Sequence, residues 1–205
     1  VFFEEQYFDT LPEKIKELGC EPDYNGTTLR PNPVPRQQPW TKHMGVLRTG
    51  AGHMHLGWTF NADPFSPEHM YDCGQIVRRL STYYNAYRLY WDRDEYRSTL
   101  YGADGAFRPK HYGLEYRVPS NAWLAHKELW PWMFESMKWV FESSVTAGDR
   151  YNVNNMGYTS AWRGWPSNDF HTGARRAEKL SDDMSFVFGT QNAPQFPLHD
   201  HLMMR

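Results

Sequence analysis

The chain has 205 residues, with 22 Lys and Arg against 24 Asp and Glu, and a formal net charge of −2 at pH 7. This balance gives no strongly basic surface, so nucleic-acid binding is unsupported. Aromatic residues make up 17% of the chain, which predicts a core built on large rings. The length predicts one domain over residues 1–148 and an irregular C-terminal extension over residues 149–205.

Cysteine usage and hydropathy indicate the cellular compartment in which the protein is expected. Cys20 and Cys73 are far apart in the sequence, which argues against a disulfide scaffold or a zinc ribbon. No apolar run approaches membrane-spanning length, and the first residues lack a secretion signal. With a mean hydropathy of −0.77, we expect a soluble protein that is neither secreted nor bound to a membrane. Because the chain begins at Val1 rather than Met, we also expect part of the first domain to be missing upstream.

The first part of the chain predicts a short helix, a loop and a strand, in that order. Thr10 and Pro12 mark the start of a helix over residues 11–18. Residues 20–40 are rich in Pro, Asn and Gly and predict a long loop. Residues 46–60 predict a strand whose glycines permit close approach of another backbone or a ligand.

Two further helical regions are predicted. The first begins with Ser66 as N-cap and Pro67 at the first helical position. Its apolar residues recur at spacings of three and four and predict one buried face: Met70, Cys73, Val77, Leu80, Tyr84, Tyr87 and Trp91. The polar side, predicted to be solvated, carries Arg78, Arg79 and Arg88. The second region, over residues 122–145, is rich in Trp and is interrupted or restarted at Pro131.

Two histidines lie two residues apart in the predicted glycine-rich strand. On a strand, the imidazoles of His53 and His55 leave the same face and can converge on one site. Neutral imidazole can bind a divalent ion or lie beside a phosphate. Such a pair is more often structural and hydrogen-bonded, whereas the flanking glycines favour a ligand.

Charged residues share one face of the strands predicted over residues 98–119. Glu115 and Arg117 leave the same face, because they alternate with three apolar residues. If that face points inward, the charges must pair or bind a ligand, since burying a lone charge is costly. If it points outward, they form a surface ion pair of little energetic value. Arg108 adds a third charged side chain nearby, and the spacing leaves both interpretations open.

Several segments together resemble one family. Residues 48–57 resemble the glycine-rich His-x-His strand of glutamine-synthetase-like ligases (RTGAGHMHLG). Residues 101–108 (YGADGAFR) and 112–124 (YGLEYRVPSNAWL) are similar to the later signature of phage-type amidoligases, the COOH-NH2 ligase type 2 family. Residues 19–25 (GCEPDYN) match an earlier stretch of that group. Together the segments cover about half of the chain, in the order that the family uses.

The resemblance implies a fold and a set of roles. The fold would be α+β and glutamine synthetase-like, with a mainly antiparallel sheet forming the active-site face and helices packed on its other side. His53 and Glu115 would hold a divalent metal, Mg²⁺. His55 and Arg117 would bind ATP. Arg108 and Arg117 would act in catalysis by steadying the transferred phosphoryl group or the substrate carboxylate.

The resemblance also implies an activity, that of an ATP-dependent carboxylate–amine ligase (amidoligase) acting through an acyl phosphate. The carboxylate and amine substrates would belong to a small molecule, a peptide or a protein side chain. One alternative is a catalytically reduced scaffold that serves as a phage virion-associated component beside phage structural proteins. Another is an unrelated module in which His53 and His55 share a metal without ATP. A location in the host cytoplasm or the virion and a homo-oligomeric state are further expectations.

Overall fold

The computed structural model of the protein describes residues 4–12, 23–32, 50–92, 102–147 and 193–197. The elements within these ranges are, in chain order, α1 (Glu5–Asp9), β1 (Tyr24–Asn25), β2 (Met54–Gly57), α2 (Pro67–Trp91), β3 (Ala106–Lys110), β4 (Gly113–Tyr116), a 3₁₀ helix (Asn121–Ala125) and α3 (Leu129–Ala147). This is an α+β arrangement, as predicted. Most of the predicted first helix and most of the predicted C-terminal extension lie outside the described residues.

The four strands found in these ranges form one antiparallel sheet in the order β1-β3-β4-β2. Strands β3 and β4 form a hairpin in which Lys110 lies opposite Gly113. Strand β2 pairs with the other side of β4 and places His55 opposite Glu115, while Arg108 lies opposite Glu115 on β3. Because residues paired across neighbouring strands share a face, His55, Arg108 and Glu115 all leave the same face of the sheet.

The other face of the sheet packs against α2, which forms as its sequence predicts. Its N-cap hydroxyl, on Ser66, accepts a hydrogen bond from the backbone N–H of His69 at 3.3 Å, and all seven residues of the predicted apolar face are buried. The predicted solvated face is wrong for Arg79. This residue is 4% exposed and donates to the carbonyl of Ser143 at 3.3 Å, because α3 packs against that side of α2.

Large rings link the helices to the sheet, as the composition predicts. Tyr84 of α2 stacks on Tyr116 of β4, with ring centroids 6.0 Å apart. Its hydroxyl donates to the carbonyl of Met133 in α3 at 2.8 Å, and burial raises the pKa of Tyr84. Tyr116 is therefore fixed on the helical side of the sheet, so its neighbours Glu115 and Arg117 are presented on the opposite side.

Residues 193–197, a short part of the C-terminal extension, contact the same two helices. The ring of Phe196 lies 5.3 Å from that of Tyr87 in α2 and 4.9 Å from that of Trp132 in α3, measured between centroids. Phe196 is buried by these contacts. Within the described ranges, no helix combines the length and the apolar composition that crossing a membrane requires.

Candidate functional site

The charged face of the sheet converges on Glu115. This residue is 4% exposed, and its Oε1 lies 2.7 Å from Nδ1 of His53 and 2.5 Å from Nη1 of Arg117. Its Oε2 lies 3.4 Å from Nη1 of Arg108. Of the two interpretations that the sequence left open, the structure has the one in which the charged face is buried and paired. It brings together four of the five predicted site residues.

Two side chains that sequence reasoning missed complete this group. Nζ of Lys110 lies 3.2 Å from Oε2 of Glu115, and Oδ2 of Asp23 lies 3.4 Å from Nε of Arg117. Lys110 follows Arg108 by two residues on β3, so strand alternation was enough to place it on this face. Asp23 precedes β1, and no local pattern links it to Arg117. These contacts form one group, the Glu115 cluster, which consists of Asp23, His53, Arg108, Lys110, Glu115 and Arg117.

Positive charge exceeds negative charge in the described contacts of the Glu115 cluster. Three cations, on Arg108, Lys110 and Arg117, face the carboxylates of Asp23 and Glu115. Burial by itself would raise the pKa of Glu115, but the Lys110 hydrogen bond and the neighbouring positive charges lower this pKa below its ordinary value. Glu115 is therefore ionised at neutral pH and holds the cations together on the sheet.

A close backbone approach places His53 beside the sheet. The carbonyl of Gly52 accepts a hydrogen bond from Nε1 of Trp123 in the 3₁₀ helix, at 3.2 Å. A β-carbon on Gly52 would collide with that indole and would lie 2.8 Å from the carbonyl oxygen of Ser120, so only glycine fits. The glycine-rich segment thus docks on the start of the 3₁₀ helix, and the next residue in the chain faces Glu115.

His55 makes a separate contact on the same face of the sheet. Its Nδ1 lies 2.5 Å from the hydroxyl of Tyr112 in the β3–β4 turn, and the residue is exposed. Burial and the nearby Glu115 carboxylate raise the pKa of Tyr112, so the phenol stays protonated at neutral pH and can donate to the ring nitrogen. The structure therefore places His55 beside the Glu115 cluster, with its described hydrogen bond going to Tyr112.

The residues predicted to hold Mg²⁺ do not fit a divalent cation in this arrangement. Both carboxylate oxygens of Glu115 already contact nitrogen atoms of cationic or imidazole side chains. Mg²⁺ prefers several oxygen ligands in octahedral geometry, whereas His53 offers nitrogen and the surroundings are positive. Across the part of the chain that the structure describes, no three His, Cys, Asp or Glu side chains are grouped to hold a metal. The metal role of His53 and Glu115 stays a prediction.

The Glu115 cluster is instead suited to an oxyanion. Guanidinium and ammonium groups form short, charge-assisted hydrogen bonds to phosphate and carboxylate oxygens. Such bonds are stronger where the surrounding protein excludes water, as it does beside a buried carboxylate. No family model, curated protein or solved structure gives a significant match to this chain.

Proposed function

We propose that the chain is an ATP-dependent carboxylate–amine ligase of the glutamine synthetase-like type, which binds its reacting anions at the Glu115 cluster. The observation that carries the proposal is the convergence of Arg108, Lys110 and Arg117 on one face of an antiparallel sheet. Helices pack on the other face. The resemblance of residues 48–57 and 112–124 to the phage-type amidoligases supports the same function, since these segments supply three of the clustered side chains.

The proposed reaction has two steps. A carboxylate oxygen attacks the terminal phosphorus of ATP; an O–P bond forms, the bond from that phosphorus to the bridging oxygen breaks, and ADP leaves. An amine nitrogen then attacks the acyl carbon; a C–N bond forms, the C–O bond to phosphate breaks, and the nitrogen loses a proton. Negative charge on the phosphoryl oxygens must be neutralised in both steps, and the cations of the Glu115 cluster are suited to that task.

Phosphate release tests the proposal. The purified chain is incubated with ATP, magnesium chloride and a mixture of amino acids, which supply carboxylates and amines. We expect phosphate release that depends on the amino acids, together with an amide product detected by mass spectrometry. Arg108→Met should abolish the release, whereas Arg30→Met, which removes an exposed arginine, should not change it.

Two outcomes would contradict the ligase. The first is phosphate release that is equal with and without amino acids, which indicates ATP hydrolysis alone. The second is no release from folded wild-type chain with varied mixtures of carboxylates and amines. That second result would favour the alternative in which the chain is a catalytically reduced scaffold associated with a phage virion.

A further inference from the structure

We propose that Lys110, the most exposed cation of the Glu115 cluster, contacts the anionic oxygen group of the ligand. The inference deepens the proposed function and rests on it for the nature of the ligand, which is a phosphate or a carboxylate group. Lys110 belongs to none of the segments whose resemblance defined the predicted site, and its role follows from its position in the Glu115 cluster.

The two oxygens of Glu115 face different surroundings. Oε1 contacts Arg117 at 2.5 Å and His53 at 2.7 Å, and the side chains of these residues are 4% and 24% exposed. Oε2 is approached at longer distances by Lys110 and Arg108, whose side chains are 28% and 14% exposed. Lys110 is therefore the most exposed of the three cations in the Glu115 cluster, and a ligand that arrives from solvent reaches its ammonium most readily.

Charge compensation also differs across the Glu115 cluster. Arg117 lies between two carboxylates, Glu115 at 2.5 Å and Asp23 at 3.4 Å. Lys110 and Arg108 both approach the same carboxylate oxygen, Oε2 of Glu115. Two cations therefore lie beside one carboxylate oxygen at this end of the Glu115 cluster, which is an arrangement that attracts an oxyanion.

Lys110 lies at the end of its strand, where its side chain can move. Its partner across the β3–β4 hairpin is Gly113, and the ring of Trp58 and the carbonyl of Leu56 occupy the place of a side chain there. Lys110 is also the last residue of β3, and its flexible chain can move the ammonium from Oε2 of Glu115 to a ligand oxygen. A guanidinium and an ammonium two residues apart on one strand can then bind one oxyanion from two directions.

Anion binding to substituted chains tests the inference without turnover. Lys110→Met removes the charge and keeps the aliphatic length, Lys110→Arg keeps the charge, and Lys138→Met removes an exposed lysine of α3 whose side chain is 74% exposed. Titration calorimetry with ATP plus magnesium, inorganic phosphate or acetate measures each affinity at low and high salt. The phosphate and acetate arms separate a phosphate site from a carboxylate site.

We expect Lys110→Met to weaken the binding of the preferred probe about tenfold and to reduce its salt dependence. Lys110→Arg should restore most of the affinity, and Lys138→Met should leave it unchanged. Circular dichroism of each variant confirms that the chain is folded. Wild-type affinity in folded Lys110→Met, or no binding of any probe to the wild type, would overturn the inference.

The inference and the ligase proposal can fail separately. Weaker anion binding in Lys110→Met, in a chain that releases no phosphate from ATP, supports the contact by Lys110 and counts against the ligase. Amino-acid-dependent phosphate release by Lys110→Met with wild-type KM values for ATP and for the amino acids overturns the contact and leaves the ligase in place.

Discussion

Nδ1 of His53 and Oε1 of Glu115 lie 2.7 Å apart, although they come from segments far apart in the chain. The pairing of β2 with β4 brings these segments together, and the docking of Gly52 on Trp123 fixes the approach of the first one. The charged face of the sheet is thus built by contacts between residues far apart in the sequence.

Replacing Glu115 by Gln should destabilise the fold. The substitution removes a buried carboxylate and leaves the buried guanidinium of Arg117 with a neutral acceptor, which is unfavourable. Because Asp23 still pairs with Arg117, we expect the free energy of unfolding to fall by about 2 kcal/mol, measured by urea denaturation. Glu142→Gln, at an exposed pair on α3, is the control and should change it by less than about 0.5 kcal/mol. Equal stability of the wild type, Glu115→Gln and Glu142→Gln would mean that the buried ion pair of Glu115 with Arg117 is absent in solution.

The stabilisation that Glu115 gives to the fold should decrease in acid. Its pKa in the folded chain is lowered from an ordinary value of 4.5, so the stabilisation is fully present above that value and is lost as pH falls through the folded pKa. The difference in unfolding free energy between the wild type and Glu115→Gln should be constant down to about pH 5 and narrow below it. A difference that widens under acid would contradict the lowered pKa.

Gly52 and Gly50 should respond differently to alanine. A methyl group on Gly52 meets the Trp123 ring and the Ser120 carbonyl, whereas one on Gly50 meets the exposed end of the Asn121 side chain, which can rotate away. We expect Gly52→Ala to cost about 2 kcal/mol and Gly50→Ala less than about 0.5 kcal/mol, measured by thermal unfolding. Similar losses in both variants would show that the docking of Gly52 on the 3₁₀ helix is wrong.

Phe196 should stabilise the domain through α2 and α3. It is 5% exposed and packs against rings of both helices, so Phe196→Ala should lower the free energy of unfolding by about 3 kcal/mol. Phe134→Ala is the matched control, since Phe134 is 65% exposed, and should change it by less than about 0.5 kcal/mol. If Phe196→Ala lowers the free energy of unfolding no more than Phe134→Ala does, this part of the C-terminal extension does not pack against the helices in solution.

The parts of the fold with local signals could be predicted from the sequence. Helix α2 follows from Ser66, Pro67 and a spacing that repeats within one element. The second helical region is also confirmed, but its break falls before Leu129 rather than at Pro131. Pro131 lies in the first turn of α3, where the N–H that it lacks has no helical acceptor.

Elements that depend on tertiary contacts were predicted less well. Within residues 50–60, strand β2 spans only Met54–Gly57, because the preceding glycine segment docks on Trp123 instead of extending the sheet over residues 50–53. Residues 46–49 of the predicted strand lie outside the described residues. The burial of Arg79 follows from the packing of α3, which the spacing of residues in α2 does not encode.

The residues of the candidate site also divide into those that a local sequence pattern predicts and those that only tertiary contacts bring together. Alternation along one strand places Glu115 and Arg117 on a common face, and the same rule applied to β3 would have added Lys110. Asp23 could not be found in this way, because its contact with Arg117 joins the residue before β1 to a residue beyond the end of β4.

The path of one oxygen atom tests the ligase most directly. Amino acids labelled with ¹⁸O in the carboxylate are incubated with ATP and the chain, and the released phosphate is analysed by mass spectrometry. Formation of an acyl phosphate at the Glu115 cluster predicts that each released phosphate carries one carboxylate oxygen, since the C–O bond breaks when the amine attacks. Phosphate that carries no ¹⁸O would show that ATP is hydrolysed by water, and would contradict the proposed function.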